Sequence, residues 1–393
     1  MIFSACSRIF LALFFIGLLT AWVFSASHLA NSPASAFKSP FAVKLDSAIP
    51  KLLQPHDVPG LAVGVIERGR ISFTRGYGMA DQDAKRPMTE NTVLNFASIS
   101  KPVTAWGMMH LVETHKLSLD SPVGLLLHRW ALPKSEFDNN GVTIRRLLSH
   151  TAGISVPSVP WFPADSAIPT LEQVLSGMAG DKGLVRVEKQ PGVVWSYSGG
   201  GYAIIQLLIE ELTKQTFDEY MRDQVFKPLG MDSTSYVPRV DLAPRTAVLY
   251  GEDGRPVPRY RLVGEAAGGL NATVRDFVRF LAAYAAADDQ APGRKIISPA
   301  SLRLMTSPVA KVELPGVKGA MYGLGHGVHR AATGGFVVYH SGGNPGVRAY
   351  FLVSLTQGNG MIVITNSDKG APVLREVIRL WGEHYKVDLQ PIY

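Results

Sequence analysis

Between Val103 and Val112 the chain reads Val, Thr, Ala, Trp, Gly, Met, Met, His, Leu, Val, apolar on nearly every face. A helix of this kind runs through an interior rather than over a surface, so the fold must wrap other elements around it. Pro102 lacks an N–H and clashes with a preceding turn, which confines it to the first helical turn. Ser98, Ser100 and Lys101 therefore stand where a buried helix begins. Positions three apart share a helix face, so Lys101 lies beside Ser98 and turns away from Ser100.

That pair has a specific chemistry open to it. A serine hydroxyl is a poor nucleophile until a base takes its proton, and a lysine amine becomes a base when burial and nearby positive potential lower its pKa. A helix N-terminus supplies such potential, and its free N–H groups can hold a developing oxyanion. A structural reading competes: Ser98 as an N-cap, with Lys101 reaching solvent from the first turn. Ser35 and Lys38 repeat the S-x-x-K pattern in a linker-like stretch, so spacing alone leaves both readings open.

The 393 residues exceed the common single-domain length of roughly 100–200 residues, which fits one large catalytic domain or two closely joined subdomains. An apolar content of 46% with 18% charge indicates an ordered globular chain. The formal charge of +7 is scattered, with no basic run longer than a pair such as Arg145 and Arg146, so no nucleic-acid patch is expected. Residues 1–36 differ. Arg8 is their only charge, and "IFLALFFIGLLTAWVF" then has the length of a signal h-region, so this segment reads as a signal peptide or an N-terminal membrane anchor. Export to the periplasm or medium is expected, with attachment to the inner membrane if the segment is kept. Cys6 precedes the apolar run, so the exported part, residues 37–393, holds no cysteine, which excludes intrachain disulfides and thiol catalysis.

In that part, "FAVKLDSAIPKLL" has a short amphipathic helical pattern, and "GLAVGVI" and "ISFTRGYG" flank a tight turn at Glu67–Gly69 as a hairpin. Helical patterns dominate from about 95 to 310. Strand patterns return in "FVVYHSG", "VRAYFLVSL" and "GMIVITNS", followed by a last helix. The fold class expected is α/β: one antiparallel sheet from about 42–90 and 320–393, flanked by helices, with a helical subdomain inserted between. Two polar or proline-rich loops, "VPSVPWFPADSAIP" and "GEDGRPVPRYR", could border a cleft or simply connect elements.

Two further motifs carry candidate chemistry. Tyr197, Ser198 and glycines 199–201 open another apolar helix. A phenol near a lysine ammonium is pulled toward phenolate and can act as a general base, although an isolated tyrosine there would more often be core. The strand pattern "FVVYHSGGNPG" ends in His340, Ser341, Gly342 and Gly343, a place suited to oxyanion N–H groups and a polar anchor for substrate, or to a glycine-rich strand end with a satisfied histidine. His326 and His329 form H-x-x-H on a strand, where residues three apart face opposite sides, so no metal site is expected.

"SISK", "YSG" and "HSG" in this order resemble the three motifs of the serine β-lactamase and penicillin-binding-protein group, in its class C β-lactamase, D-Ala-D-Ala carboxypeptidase and esterase branch. "GYGMAD", "LLSHTAGI", "KPLGMDST", "GGLNATVRDFVRF", "YGLG" and "TNSDKG" extend the likeness over roughly residues 42–386. The resemblance implies a β-lactamase/transpeptidase-like fold and a serine hydrolase acting through an acyl-enzyme on small esters, amides or peptides. It implies no cofactor. Ser98 would be the nucleophile, Lys101 its partner and Tyr197 the general base. The N–H groups of Ser98 and Gly343 would form the oxyanion hole, with Ser341 and Gly342 lining it. His340 would replace the family's usual lysine, and Gly199 the asparagine that ends the second motif in class C enzymes. Those two departures favour esters over lactams. His150, in "SHTAGI", receives no chemistry. A receptor for cell-wall peptides or lactams, acylated with little turnover, is the alternative.

Overall fold

The computed structural model describes residues 39–178, 183–285, 295–312, 319–332 and 334–389. The N-terminal segment and the Ser35–Lys38 pattern lie outside them.

Among the described residues, nine strands form one antiparallel sheet. They are β1 (Gly60–Glu67), β2 (Arg70–Asp81), β3 (Arg86–Pro87), β4 (Ala310–Lys311), β5 (Met321–Tyr322), β6 (Gly327–Arg330), β7 (Phe336–Asn344), β8 (Val347–Ser354) and β9 (Asn359–Thr365). Their order is β3-β2-β1-β9-β8-β7-β6-β5-β4, so the two ends of the chain meet at β1 and β9 in the middle of the sheet. The hairpin between β1 and β2 turns on Arg68 and Gly69, both with positive φ (51° and 75°), the backbone of a type I′ turn.

The main helices are α1 (Pro40–Leu53), α2 (Ser100–Thr114), α3 (Gly199–Thr213), α4 (Val274–Ala285) and α5 (Ala371–Tyr385). α1 and α5 cover one face of the sheet: Phe41, Leu45, Val377 and Trp381 pack on Leu61, Val63, Leu352 and Val363. The helical part covers the other, where Phe277, Val278 and Phe280 of α4 meet Ala62, Phe351, Ile362 and Ile364. Alternate side chains of β1 thus go to two different cores, which is why its sequence is an unbroken apolar run instead of an alternation. Gly64 allows the close approach of α4, since a Cβ there would lie 2.3 Å from Val278 Cγ1.

α2 is buried around nearly its whole circumference, from Ser100 to Met109 and at Leu111, as its all-apolar sequence requires. The α-helix itself begins at Ser100, and Ser98 sits just before it in a 3₁₀ turn, Ala97–Ile99. Ala97 holds φ at 49°, a left-handed conformation that costs a non-glycine residue of order 1 kcal/mol and marks this turn as strained.

Candidate active site

Ser98 does not cap α2. Ser100 is the serine used structurally: its buried hydroxyl donates to the Ala97 carbonyl at 2.6 Å and accepts the Leu270 N–H at 2.9 Å. This leaves Ser98 as the hydroxyl that meets Lys101, whose Nζ lies 3.2 Å from Ser98 Oγ. The lysine does not reach solvent. It is 2% exposed, donates to the Ala267 carbonyl at 2.6 Å, and stands 4.7 Å from the centroid of the Tyr197 ring. Burial brings its amine down to about 7, so a large fraction is neutral at physiological pH.

Tyr197 enters the site because α3 starts immediately after it. Ser198 caps that helix, its Oγ accepting the Gly201 N–H at 3.0 Å while donating to the Ser155 carbonyl at 2.6 Å. The Tyr197 phenol faces the Ser98 hydroxyl, a polar neighbour that favours the ionised phenol. The expected pull toward phenolate is not what the surroundings produce. Burial raises the Tyr197 pKa, because a phenolate loses its hydration here more than it gains from the Ser98 contact. Phenol and amine are both held toward their neutral forms.

The third motif lies on β7, which runs beside the Ala97–Ile99 turn. A Cβ at Gly342 would be 2.5 Å from the Phe96 carbonyl oxygen, so glycine is what lets the strand come this close and brings Gly343 next to the serine turn. Ser341 and Gly343 are exposed, whereas His340 and Gly342 are buried. His340 departs from the expected substrate anchor. Its Nδ1–H donates to the Ser341 carbonyl at 2.6 Å and its Nε2 accepts from the Tyr322 hydroxyl at 3.0 Å, so both ring nitrogens are occupied within the protein. Burial and the nearby Lys101 hold it at about 3, and it is neutral.

Gly199 also departs from expectation. Its N–H donates to the Pro157 carbonyl at 3.1 Å, and a Cβ there would stand 3.0 Å from Val159 N and 3.2 Å from that same carbonyl oxygen. The loop 157–159 occupies the space a side chain would need, so Gly199 offers a substrate neither a side chain nor an N–H. The histidines 326 and 329 diverge: His326 Nδ1 meets the Tyr284 hydroxyl, and His329 Nε2 meets the Asp388 carbonyl.

Sequence reasoning missed three contributors. Ala267 acts through its carbonyl, which no side-chain motif reports. Tyr322 stands in "YGLG", a segment that carries only a likeness, and its role depends on meeting His340. Arg348 pairs in register with Gly343, but its guanidinium is already engaged by Asp368 at 2.7 Å and by the Asn344 and Val347 carbonyls.

Comparisons with known proteins agree with this geometry. A family model described as Beta-lactamase matches residues 45–386. Penicillin-binding protein 4 of Amycolatopsis lactamdurans is 30% identical over 86% of this chain and 89% of its own. Penicillin-binding protein 4* of Bacillus subtilis is 28% identical over 88% and 78%. Among solved structures, the octameric penicillin-binding protein homologue from Pyrococcus abyssi superposes with a TM-score of 0.73 at 26% identity, over 88% of this chain and 77% of that one. The D-amino acid amidase from Ochrobactrum anthropi shares the fold with a TM-score of 0.70 at 24% identity, over 87% of this chain and 99% of that one. With an S-x-x-K lysine buried against its serine, a tyrosine at the start of the next buried helix and a strand ending in H-S-G-G beside them, the chain belongs to the β-lactamase family of serine hydrolases.

Proposed function

We propose that this protein hydrolyses small esters through an acyl-enzyme on Ser98, with ester turnover exceeding lactam turnover. The observation that carries the reading is the 3.2 Å contact between Ser98 Oγ and a Lys101 amine that burial keeps largely neutral. A neutral amine can take the serine proton as Oγ attacks the ester carbonyl. The oxyanion then forms toward the Ser98 and Gly343 N–H groups. The proton returns from Lys101 by way of the Tyr197 phenol to the departing alkoxide, leaving Ser98 esterified by the acyl group. Water, deprotonated by the same amine, adds to that ester, and collapse of the adduct releases the acid and restores the serine.

The preference for esters draws support from what the site does not present. His340 is neutral and occupied on both nitrogens, Gly199 is walled off by backbone, and Arg348 is already paired with Asp368. A lactam carboxylate and acylamide would lose hydrogen bonds to water without full replacement, at roughly 1–3 kcal/mol for each unsatisfied group, whereas a short ester brings neither. A second reading, a receptor acylated by lactams or cell-wall peptides with little turnover, is favoured by the relatives named as penicillin-binding proteins.

Intact-mass analysis after a fluorophosphonate should place one adduct on Ser98 and none on Ser98→Ala; labelling of Ser100 would refute the assignment. A panel of short acyl esters, a chromogenic cephalosporin and D-amino-acid peptides then separates the readings. Repeated ester turnover supports the hydrolase, and a single burst with no steady state supports the receptor. Efficient cephalosporin hydrolysis without esterase activity would overturn the ester preference.

A further inference from the structure

His150 carries no assigned chemistry, yet it touches both sides of Tyr197. Its backbone carbonyl accepts the N–H of Ser196 at 2.8 Å, and its Nδ1 accepts the N–H of Ser198 at 3.1 Å. Its imidazole lies against the tyrosine ring between them, centroids 4.4 Å apart at 39°. One residue thus holds the main chain immediately before and after Tyr197, and packs on its side chain as well. The arrangement depends on an unusual backbone: His150 has φ of 58°, a left-handed conformation uncommon for a non-glycine residue. Such a conformation persists only where surrounding contacts over-determine it.

The ring's chemistry is defined by the same contacts. Because Nδ1 accepts from a backbone donor, the imidazole proton is on Nε2. The residue is 2% exposed, and burial, with Lys101 and His340 nearby, pushes its pKa well below the usual histidine value. The groups facing the ring are Trp195, Tyr197 and Tyr202, from one stretch around the start of α3, and Tyr322 of β5. Tyr322 is also the residue that holds His340. A charged imidazolium could not accept from Ser198, so the neutral form is the one that fits.

We infer that His150 is a positioning residue for the hydrolytic reaction, clamping the 196–198 backbone so that the Tyr197 phenol stays turned toward Ser98 and Lys101. It acts through Tyr197 and does not touch the substrate. The inference rests on the proposed role of Tyr197 at Ser98, so both must be read in the same preparations.

Two substitutions separate the clamp from mere packing. His150→Phe keeps a ring against Tyr197 and removes the acceptor. His150→Asn removes the ring, keeps an acceptor oxygen near the Nδ1 position, and tolerates the left-handed backbone. With a short-chain ester, His150→Phe should lower kcat about 10- to 100-fold with KM changed less than about twofold, as displacement of a reacting group does. His150→Asn should recover at least half of that loss on a logarithmic scale. Equal loss in both variants, wild-type kcat in His150→Phe, or a loss confined to KM would each overturn the inference. Should neither variant fold, ¹⁵N-histidine NMR of the wild type decides: an unprotonated Nδ1 with the proton on Nε2, unchanged from pH 6 to 9, is required, and an Nδ1–H tautomer or titration in that range refutes the clamp. Wild-type protein that turns over ester and labels at Ser98 while the His150 variants match it sinks only this inference; wild-type protein that does neither sinks the proposed function.

Discussion

Lys101 donates to the carbonyl of Ala267 at 2.6 Å, across 166 residues of sequence, and that contact holds its amine 3.2 Å from Ser98. A carboxylate in place of the carbonyl would have stabilised the ammonium. A neutral carbonyl offsets little of the cost of burying that charge, and desolvation brings the amine down to about 7.

The first prediction is therefore a pH dependence. The neutral amine is the active base, and it is lost as pH falls through the folded pKa. For short-chain esters, log(kcat/KM) should be level above about pH 8 and fall with unit slope below about pH 6, the limb centred near 7. A stopped-assay profile from pH 5 to 9 checks it. An acid limb near 4 would mean that Lys101 is not the titrating base.

Lys101→Arg should fare no better than Lys101→Ala. The guanidinium stays charged at any working pH and cannot take the Ser98 proton, so charge conservation does not rescue function. Both variants should lose about 10²–10⁴ in kcat/KM, the usual contribution of a positioned acid–base group. Steady-state ester assays decide the matter, and an arginine variant within tenfold of wild type would contradict the role given to a neutral amine.

Gly199→Asn tests whether the second-motif departure can be reversed by a single substitution. Because the loop 157–159 occupies the space, with Val159 N 3.0 Å from the new Cβ, the variant should show no gain in cephalosporin kcat/KM. It should lose about 1–3 kcal/mol of stability, as for other overpacked sites. Urea denaturation and a chromogenic cephalosporin assay measure the two effects. A clear rise in lactam turnover would mean that the loop moves aside readily.

Tyr322→Phe leaves His340 Nε2 without its donor in a buried setting. An orphaned acceptor of this kind costs about 1–3 kcal/mol, so the unfolding free energy should drop by that amount in denaturant titration. Ser98 labelling should persist, because neither residue contacts the nucleophile. Full wild-type stability would show that His340 finds another partner.

Much of the framework was legible in local sequence. The Arg68–Gly69 turn and the buried run of α2 depend on residues within a few positions of one another, so their chemistry shows in the sequence itself. The meeting of β1 with β9 was anticipated only as one sheet built from both ends of the chain. Short connections make sequential strands pair antiparallel, as they do, but that β1 would take β9 as its other neighbour was not evident, because apolar runs buried on both faces look alike.

The site divides along the same line. Sequence by itself determined that Ser98 and Lys101 would share one face of a helical turn, because three-residue spacing places them there. It could not set their protonation, since pKa values follow from burial and from acceptors that arrive from elsewhere. Tertiary structure decided that Lys101 meets a neutral carbonyl from Ala267, that Tyr197 stays a phenol, that Tyr322 occupies His340, and that the backbone near Val159 closes Gly199. It also brought His150 to Ser198 across 48 residues. Desolvation and hydrogen-bond pairing are properties of a place in space, and a place of this kind exists only once distant segments have packed around it.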